Sequence, residues 1–289
     1  MAKAKQTENG RVPVHMERMS DKDFSRFSEF IYTEVGIKLP TTKKVMVEAR
    51  LQKRLRALGI GTLGEYIAYL FSPQGMAEEL FQLIDVVTTN TTDFFREPQH
   101  FELLTKRFLP EWHSRFGAQR SIRFWSAGCS FGMEPYTLAI VLSLFKERQP
   151  GFSFTILATD ISTQALSAAA SGIYDEERIA AVPQYIKSKS FLRSKNRNKQ
   201  LVRVTPELRR HVQFQRLNFM EDFSFRLPFD FVFCRNVVIY FDKPTQQRLF
   251  TKMCHTIAPG GYLFIGHSES LAGMNLPIQQ ILPTIYQRI

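Results

Sequence analysis

At four places in this chain, polar side chains stand where an apolar run ends. Phe124-Trp125 leads into Ser126-Ala127-Gly128-Cys129-Ser130-Phe131-Gly132-Met133-Glu134-Pro135-Tyr136. Asp160 follows Ala158-Thr159, Asn218 follows Leu217, and Arg235-Asn236 follow Phe233-Cys234. An α/β sheet holds its ligand beyond the carboxyl ends of its strands, so these positions are candidate binding residues. Gly128 and Gly132 allow close approach of backbone. Pro135 sits in the first turn of a helix, where a missing N–H costs nothing, and that helix start offers free amides. The spacing G-x-x-x-G is neither a dinucleotide fingerprint nor a P-loop. It points to a nucleoside without phosphates, such as S-adenosylmethionine. A carboxylate ending the second strand suits two ribose hydroxyls, which is the role expected of Asp160.

The elements that must position these residues follow from the apolar pattern. From residue 121 strands and helices alternate, the mark of an α/β sheet. Strands are expected at 121–126, 152–158, 212–217, 229–234 and 262–265, with an edge strand or hairpin at 278–288 around Pro283. Helices are expected at 134–146, 163–171 (capped by Ser162 and Gly172) and 244–257, with a turn at Pro259-Gly260-Gly261. An insertion, about 173–210, carries seven Lys or Arg and no acid between Tyr185 and Arg203, with Leu201 to Val204 alternating like a strand.

Residues 16–87 read as a small helical domain. Phe24, Phe27, Phe30 and Ile31 recur at helical spacing, and Val47, Leu51, Leu55 and Leu58 form one buried stripe. Lys43, Arg50 and Arg54 edge that stripe and are expected to dock an acidic helix. Residues 1–15 are expected as a tail, and 88–120 as a linker with a polar covering loop, because Thr88, Thr89, Asn90, Thr91 and Thr92 disfavour a helix interior.

Composition narrows the function classes. The chain has 289 residues, is 44% hydrophobic and carries a net charge of +11, which calls for an acidic partner. No apolar run of about eighteen residues appears, so no membrane span is expected. Cys129, Cys234 and Cys254 form no C-x-x-C pair and suit reduced thiols in the cytoplasm. The six histidines show no ligand spacing, so no metal is expected.

Six co-linear motifs then resemble the chemotaxis receptor glutamate methyltransferases. They are the Thr88 to Glu97 stretch, the Ser126 to Tyr136 loop, Ala158-Thr159-Asp160-Ile161, Ser171-Gly172-Ile173-Tyr174, Phe233 to Asp242, and Gly266-His267-Ser268-Glu269. The resemblance covers about residues 20–288. It implies a Rossmann-like class I methyltransferase domain with a small β-subdomain insertion, preceded by an all-helical N-terminal domain. It also implies S-adenosylmethionine as cofactor, S-adenosylhomocysteine as product, and receptor glutamates on a cytoplasmic helical bundle as substrate. By motif match, Asn90, Thr92, Arg96, Glu134, Asp160, Asn218, Phe219, Arg235 and Asn236 contact the cofactor, and Arg96 and Tyr240 lie nearest the methyl group. A monomer is expected, with no nucleic acid and no membrane insertion. Phe131 and Met133 replace a Thr and a Glu usual in the family's glycine loop. No glycine occurs between Ile173 and Ala258, whereas members that tether to a receptor's C-terminal pentapeptide carry glycines in a β-subdomain turn. An amino-directed nucleic-acid methyltransferase would favour Asn/Asp-Pro-Pro-Tyr/Phe after the fourth strand, where this chain has Asn236-Val237-Val238-Ile239-Tyr240.

Overall fold

The computed structural model describes residues 18–289, so the tail expected at 1–15 lies outside the described residues. Helix α1 (Asp21–Val35) starts at Ser20, whose hydroxyl accepts the Asp23 N–H, and stops at Gly36. Gly36 has a left-handed φ of 74°, and a Cβ there would press on Met220. Helix α2 (Lys44–Leu58) buries Val47, Leu51 and Leu55. Leu58, the fourth member of the expected stripe, is exposed because it lies in the last turn beside the Gly59 cap. A Thr62–Glu65 capping box opens α3 (Leu63–Leu70), and Pro73 opens α4 (Pro73–Val87). These four helices share one core around Phe27, Leu51, Tyr66 and Leu83. Partly buried Ile161, Tyr240 and Phe241 pack against the same core, so the helical unit abuts the strand ends of the second domain.

The stretch 88–120 is less of a linker than its threonines suggest. It contains α5 (Pro98–Leu103), one π turn (Leu104–Phe108) and α6 (Leu109–Phe116). Phe101, Leu104, Phe108, Leu109 and Trp112 enter the main core. Only 88–97 is loop; beyond it, apolar residues at helical spacing bury a face and override the polar start.

The main sheet joins β1 (Ile122–Ala127), β2 (Phe154–Asp160), β6 (Val212–Arg216), β7 (Phe229–Cys234), β8 (Ile257–Ile265), β9 (Ile278–Leu282) and β10 (Ile285–Arg288). Its order is β6-β2-β1-β7-β8-β10-β9. The first five are parallel, and the β9–β10 hairpin closes the edge antiparallel. The order runs outward both ways from β1, so the topological switch lies between β1 and β7, where a ligand crevice opens. Every residue of β7 is buried, as a central parallel strand requires. Instead of turning the chain, Pro259-Gly260-Gly261 form an irregularity inside β8. Helices α7 (Met133–Arg148), α8 (Thr163–Ser171) and α11 (Lys243–Thr256) are the crossovers.

The insertion holds β3 (Ile173–Asp175), α9 (Gln184–Ser190), β4 (Phe191–Arg193), β5 (Leu201–Val204) and α10 (Pro206–Arg209). Its strands form an antiparallel sheet, β3-β5-β4. Phe94 contacts the rings of Tyr174 and Phe191 edge-on, and the Tyr174 hydroxyl donates to the Phe131 carbonyl at 2.7 Å. The subdomain is thereby fastened to both the covering loop and the glycine loop.

Candidate functional site

The loop after β1 is shaped by backbone. Gly128 and Cys129 donate their N–H groups to the Thr159 carbonyl at 2.8 and 2.9 Å. Gly128 has φ 83°, and a Cβ on it would lie 2.4 Å from the Val237 side chain, so no other residue fits. Ser130 is left-handed, gives its N–H to Asp160 at 2.7 Å and its hydroxyl to the Asn90 carbonyl at 3.0 Å. The glycine loop, the end of β2 and the covering loop are thus joined at one point.

Asp160 is buried. One oxygen accepts the Ser130 N–H and the other the Ser162 N–H at 2.9 Å. Burial pushes its carboxyl up from the ordinary range, and the Ser162 and Ser130 amides oppose that. Each carboxylate oxygen has two lone pairs and uses one here, leaving one acceptor site on each for a pair of neighbouring hydroxyls.

Arg235 is the hub of the other wall. Its side chain is 2% exposed and pairs with Glu97 at 3.0 Å and Glu134 at 3.3 Å. It also donates to the Arg96 carbonyl. Glu134 accepts from the Ser126 hydroxyl at 2.7 Å. Burial raises the Glu134 carboxyl above its ordinary value, against the pull of Arg235. Burial also works on Glu97, but Arg235 and His267 outweigh it and hold that carboxyl down. Glu269 braces the next residues: its two oxygens accept the N–H groups of Asn236, Gly266 and Val238 at 2.7–2.9 Å. Asn236 can therefore hold its left-handed φ of 59°.

Twelve of the residues singled out from the sequence line a single cavity: Lys43, Asn90, Thr92, Arg96, Gly128, Glu134, Asp160, Asn218, Phe219, Arg235, Asn236 and Tyr240. Val35, Ile37, Leu39 and Met46 of the helical unit complete its apolar side. Two backbone-mediated contacts close the units on each other there: Asn218 donates to the Glu34 carbonyl at 2.8 Å, and Lys38 N–H to the Tyr240 carbonyl at 3.0 Å. Cys129 also lines the cavity, but it is buried, and burial pushes its thiol well up, away from the reactive thiolate.

Arg50 and Arg54, expected with Lys43 to dock an acidic helix, stand outside this cavity and are both engaged within the chain. Arg50 caps the end of α4, donating to the carbonyls of Val86, Val87 and Thr88. Arg54 forms a two-pronged pair with buried Glu79, at 2.7 Å for both contacts. Their cationic ends satisfy groups that the packing of α2 on α4 would otherwise leave unpaired. Arg54→Ala is expected to destabilise the helical unit by about 2 kcal/mol, since Glu79 keeps only the Tyr66 hydroxyl. A urea melt resolves this; an unchanged midpoint would contradict it.

The sequence reading passed over Glu97, Ser130 and Glu269. All three lie inside the motifs quoted above, but no role was assigned to them. The available signal was that a buried arginine at a strand end demands carboxylates. The structure also brings His100 and His267 together beside Glu97.

The donors fit an adenosine-type sulfonium cofactor: two free acceptor sites on Asp160, a side-chain-free approach at Gly128, and an apolar wall from α1 and α2. A family model described as "CheR methyltransferase, all-alpha domain" matches residues 22–88, and one described as "CheR methyltransferase, SAM binding domain" matches residues 90–286. The chemotaxis protein methyltransferase of Borreliella burgdorferi is 39% identical over 270 residues, covering 92% of this chain and 94% of its own. That of Klebsiella aerogenes is 40% identical over 270 residues, with 93% and 90% covered. That of Escherichia coli is 40% identical over 258 residues, with 88% and 86% covered. A doubly wound sheet with this cavity at its switch point, and likeness running through both domains, place the chain in the CheR family of S-adenosylmethionine-dependent chemotaxis methyltransferases.

Proposed function

We propose that the chain methylates glutamate side chains on the cytoplasmic helices of chemoreceptors, as a monomer, and does so without a pentapeptide tether. When bound, S-adenosylmethionine supplies an electrophilic methyl group and leaves with the bonding electron pair on sulfur. A glutamate carboxylate has an ordinary pKa of about 4.3, so at neutral pH it needs no base to become a nucleophile.

The observation that carries this reading is the absence of a free base in the cavity wall. Among the described residues that line it, there is no histidine. Glu134 is held by Ser126 and Arg235, Asp160 by two backbone amides, and the third carboxylate of the wall, Asp93, pairs with Arg178 at 3.5 Å. An ammonium or hydroxyl substrate would require a proton acceptor; a carboxylate does not. Arg96 and Lys43 line the same cavity, and the Lys43 ammonium stands 5.4 Å from the centre of the Tyr240 ring. These cations attract and orient an incoming carboxylate, and Tyr240 gives it an apolar flank that strips water. Asn90, Thr92, Asn218, Phe219 and Asn236 position the cofactor beside them. The docking charge rests on Lys43 at the cavity and on exposed Lys53 of α2, in place of Arg50 and Arg54.

The test is labelled S-adenosylmethionine with receptor cytoplasmic fragments, DNA and RNA in parallel. Base-labile counts on protein are expected; counts on nucleic acid, or base-stable counts, would refute the proposal. Arg96→Ala should cut turnover by about 100-fold through misplacement of the carboxylate, with the melting temperature retained. Its one side-chain hydrogen bond among the described residues goes to the Thr91 carbonyl, on an exposed loop.

Tethering is disfavoured by the turn between β4 and β5. Residues 194–200 contain no glycine, and Gln200 itself takes the left-handed φ of 43°. Calorimetry with a receptor C-terminal pentapeptide is expected to show weak or no binding; tight binding would reverse this point alone.

A further inference from the structure

We propose that Glu97, His100 and His267 form a binding site for a first-row divalent metal of the zinc type, and that filling it weakens cofactor binding through Arg235. The three residues each offer one ligand atom within 4.8 Å of the others. Nothing in the family reading assigns them a ligand.

His100 carries a buried nitrogen with no partner. The His100 side chain is 2% exposed. Its Nε2 lies 2.8 Å from the Thr284 hydroxyl, which donates its own proton to the Pro283 carbonyl at 2.6 Å. Thr284 therefore accepts, and Nε2 carries the imidazole proton. That leaves a bare lone pair on Nδ1. This atom is buried without a hydrogen-bond partner. It faces Glu97 Oε2 at 3.5 Å. A lone pair against a carboxylate oxygen is repulsive unless a cation stands between them.

His267 supplies the third ligand. Its Nε2 is 4.0 Å from the same Glu97 oxygen, and its side chain is half-exposed. Zinc–nitrogen and zinc–oxygen bonds of about 2.0–2.1 Å set tetrahedral ligand separations of about 3.3 Å. The Glu97–His100 pair is already close to that value. The half-exposed His267 needs only a small swing, and its exposure provides the path of entry. Two imidazoles with one carboxylate select zinc-type ions over magnesium or calcium. The Thr284 contact on the far nitrogen of His100 is the outer-sphere hydrogen bond that fixes a ligating ring.

The consequence follows from a shared atom. Glu97 Oε2 also receives Arg235 Nη2 at 3.0 Å. A metal on that oxygen displaces the guanidinium and repels it. Arg235 holds Glu134 and the Arg96 carbonyl, both part of the cofactor cavity. The two sites are thus coupled, and the coupling is reciprocal.

The metal arm of the test does not depend on the cofactor reading. Chelator-treated protein is titrated with zinc chloride against a chromophoric zinc indicator. One equivalent is expected to bind, with no competition from magnesium. His267→Ala should lose that equivalent, and His255→Ala, at an exposed position on α11, should keep it. No binding, or equal binding by His267→Ala, overturns the site. In the second arm, calorimetry with S-adenosylhomocysteine is expected to show about tenfold weaker binding when zinc is present, and no such loss in His267→Ala. Zinc binding without that loss overturns the coupling. If S-adenosylhomocysteine fails to bind even without zinc, the cofactor reading fails while the metal arm still stands or falls by itself.

Discussion

Arg235→Ala is expected to abolish measurable S-adenosylhomocysteine binding and to lower folding stability by about 3–5 kcal/mol. The guanidinium is almost fully buried and neutralises two carboxylates, Glu97 and Glu134, at once. Removing it strands both in a low-dielectric wall. The defect depends on pH with a definite sign. In the intact protein Arg235 holds Glu97 below the ordinary carboxylate range, a contribution present above that range and lost on acidification. Glu134 is already raised by burial, and without Arg235 it rises further. A raised carboxyl favours the folded state only below its ordinary value and costs stability as pH climbs through the folded value. Without Arg235, burial carries Glu97 upward as well, so both groups make the variant worse at pH 8 than at pH 5. Melts at the two pH values check this; a pH-independent defect would mean that Arg235 acts by packing against Phe101 and not by charge. Arg235→Lys should recover part of the stability but not the binding, because an ammonium cannot reach Glu97, Glu134 and the Arg96 carbonyl together.

Asp160→Asn is expected to weaken S-adenosylhomocysteine by about 100-fold or more. A hydrogen bond to a charged acceptor contributes about 1.5–3 kcal/mol, and two hydroxyls would lose theirs together. The amide adds a second penalty. Its NH2 group must face either the Ser130 N–H or the Ser162 N–H, both of which are donors. Since Ser130 also holds the Asn90 carbonyl, loosening it frees the covering loop. The measurement is calorimetry beside circular dichroism. Full affinity in a folded variant would remove Asp160 from the binding role. An unfolded variant is countered by Asp160→Ala, which lacks the opposing donors.

Much of the scaffold was legible because its signals are local. Ser162 and Gly172 bound α8 where capping chemistry puts them, and Phe229 to Cys234 is a strand by its unbroken apolar run. Pro283 marked the edge that became the β9–β10 hairpin. The failures share one cause. Arg50 and Arg54 looked like a free basic edge because their partners, the end of α4 and Glu79, lie on a helix whose packing no local pattern reports. The threonine-rich start of 88–120 hid α5 and α6, whose apolar faces make sense only against the main core.

The sequence by itself determined which residue types end each strand, and hence that Gly128, Asp160, Asn218 and Arg235 could meet one ligand: strand and helix periods are short-range, and a parallel sheet brings its strand ends to a single edge. Only the tertiary structure decided how the charges pair. That Glu97 would neutralise Arg235, that Glu269 would brace Asn236, and that His267 would arrive beside Glu97 from 170 residues away depend on which buried groups become neighbours. Burial makes those pairings obligatory, because an unmatched charge in the core costs several kcal/mol, but no spacing along the chain records them.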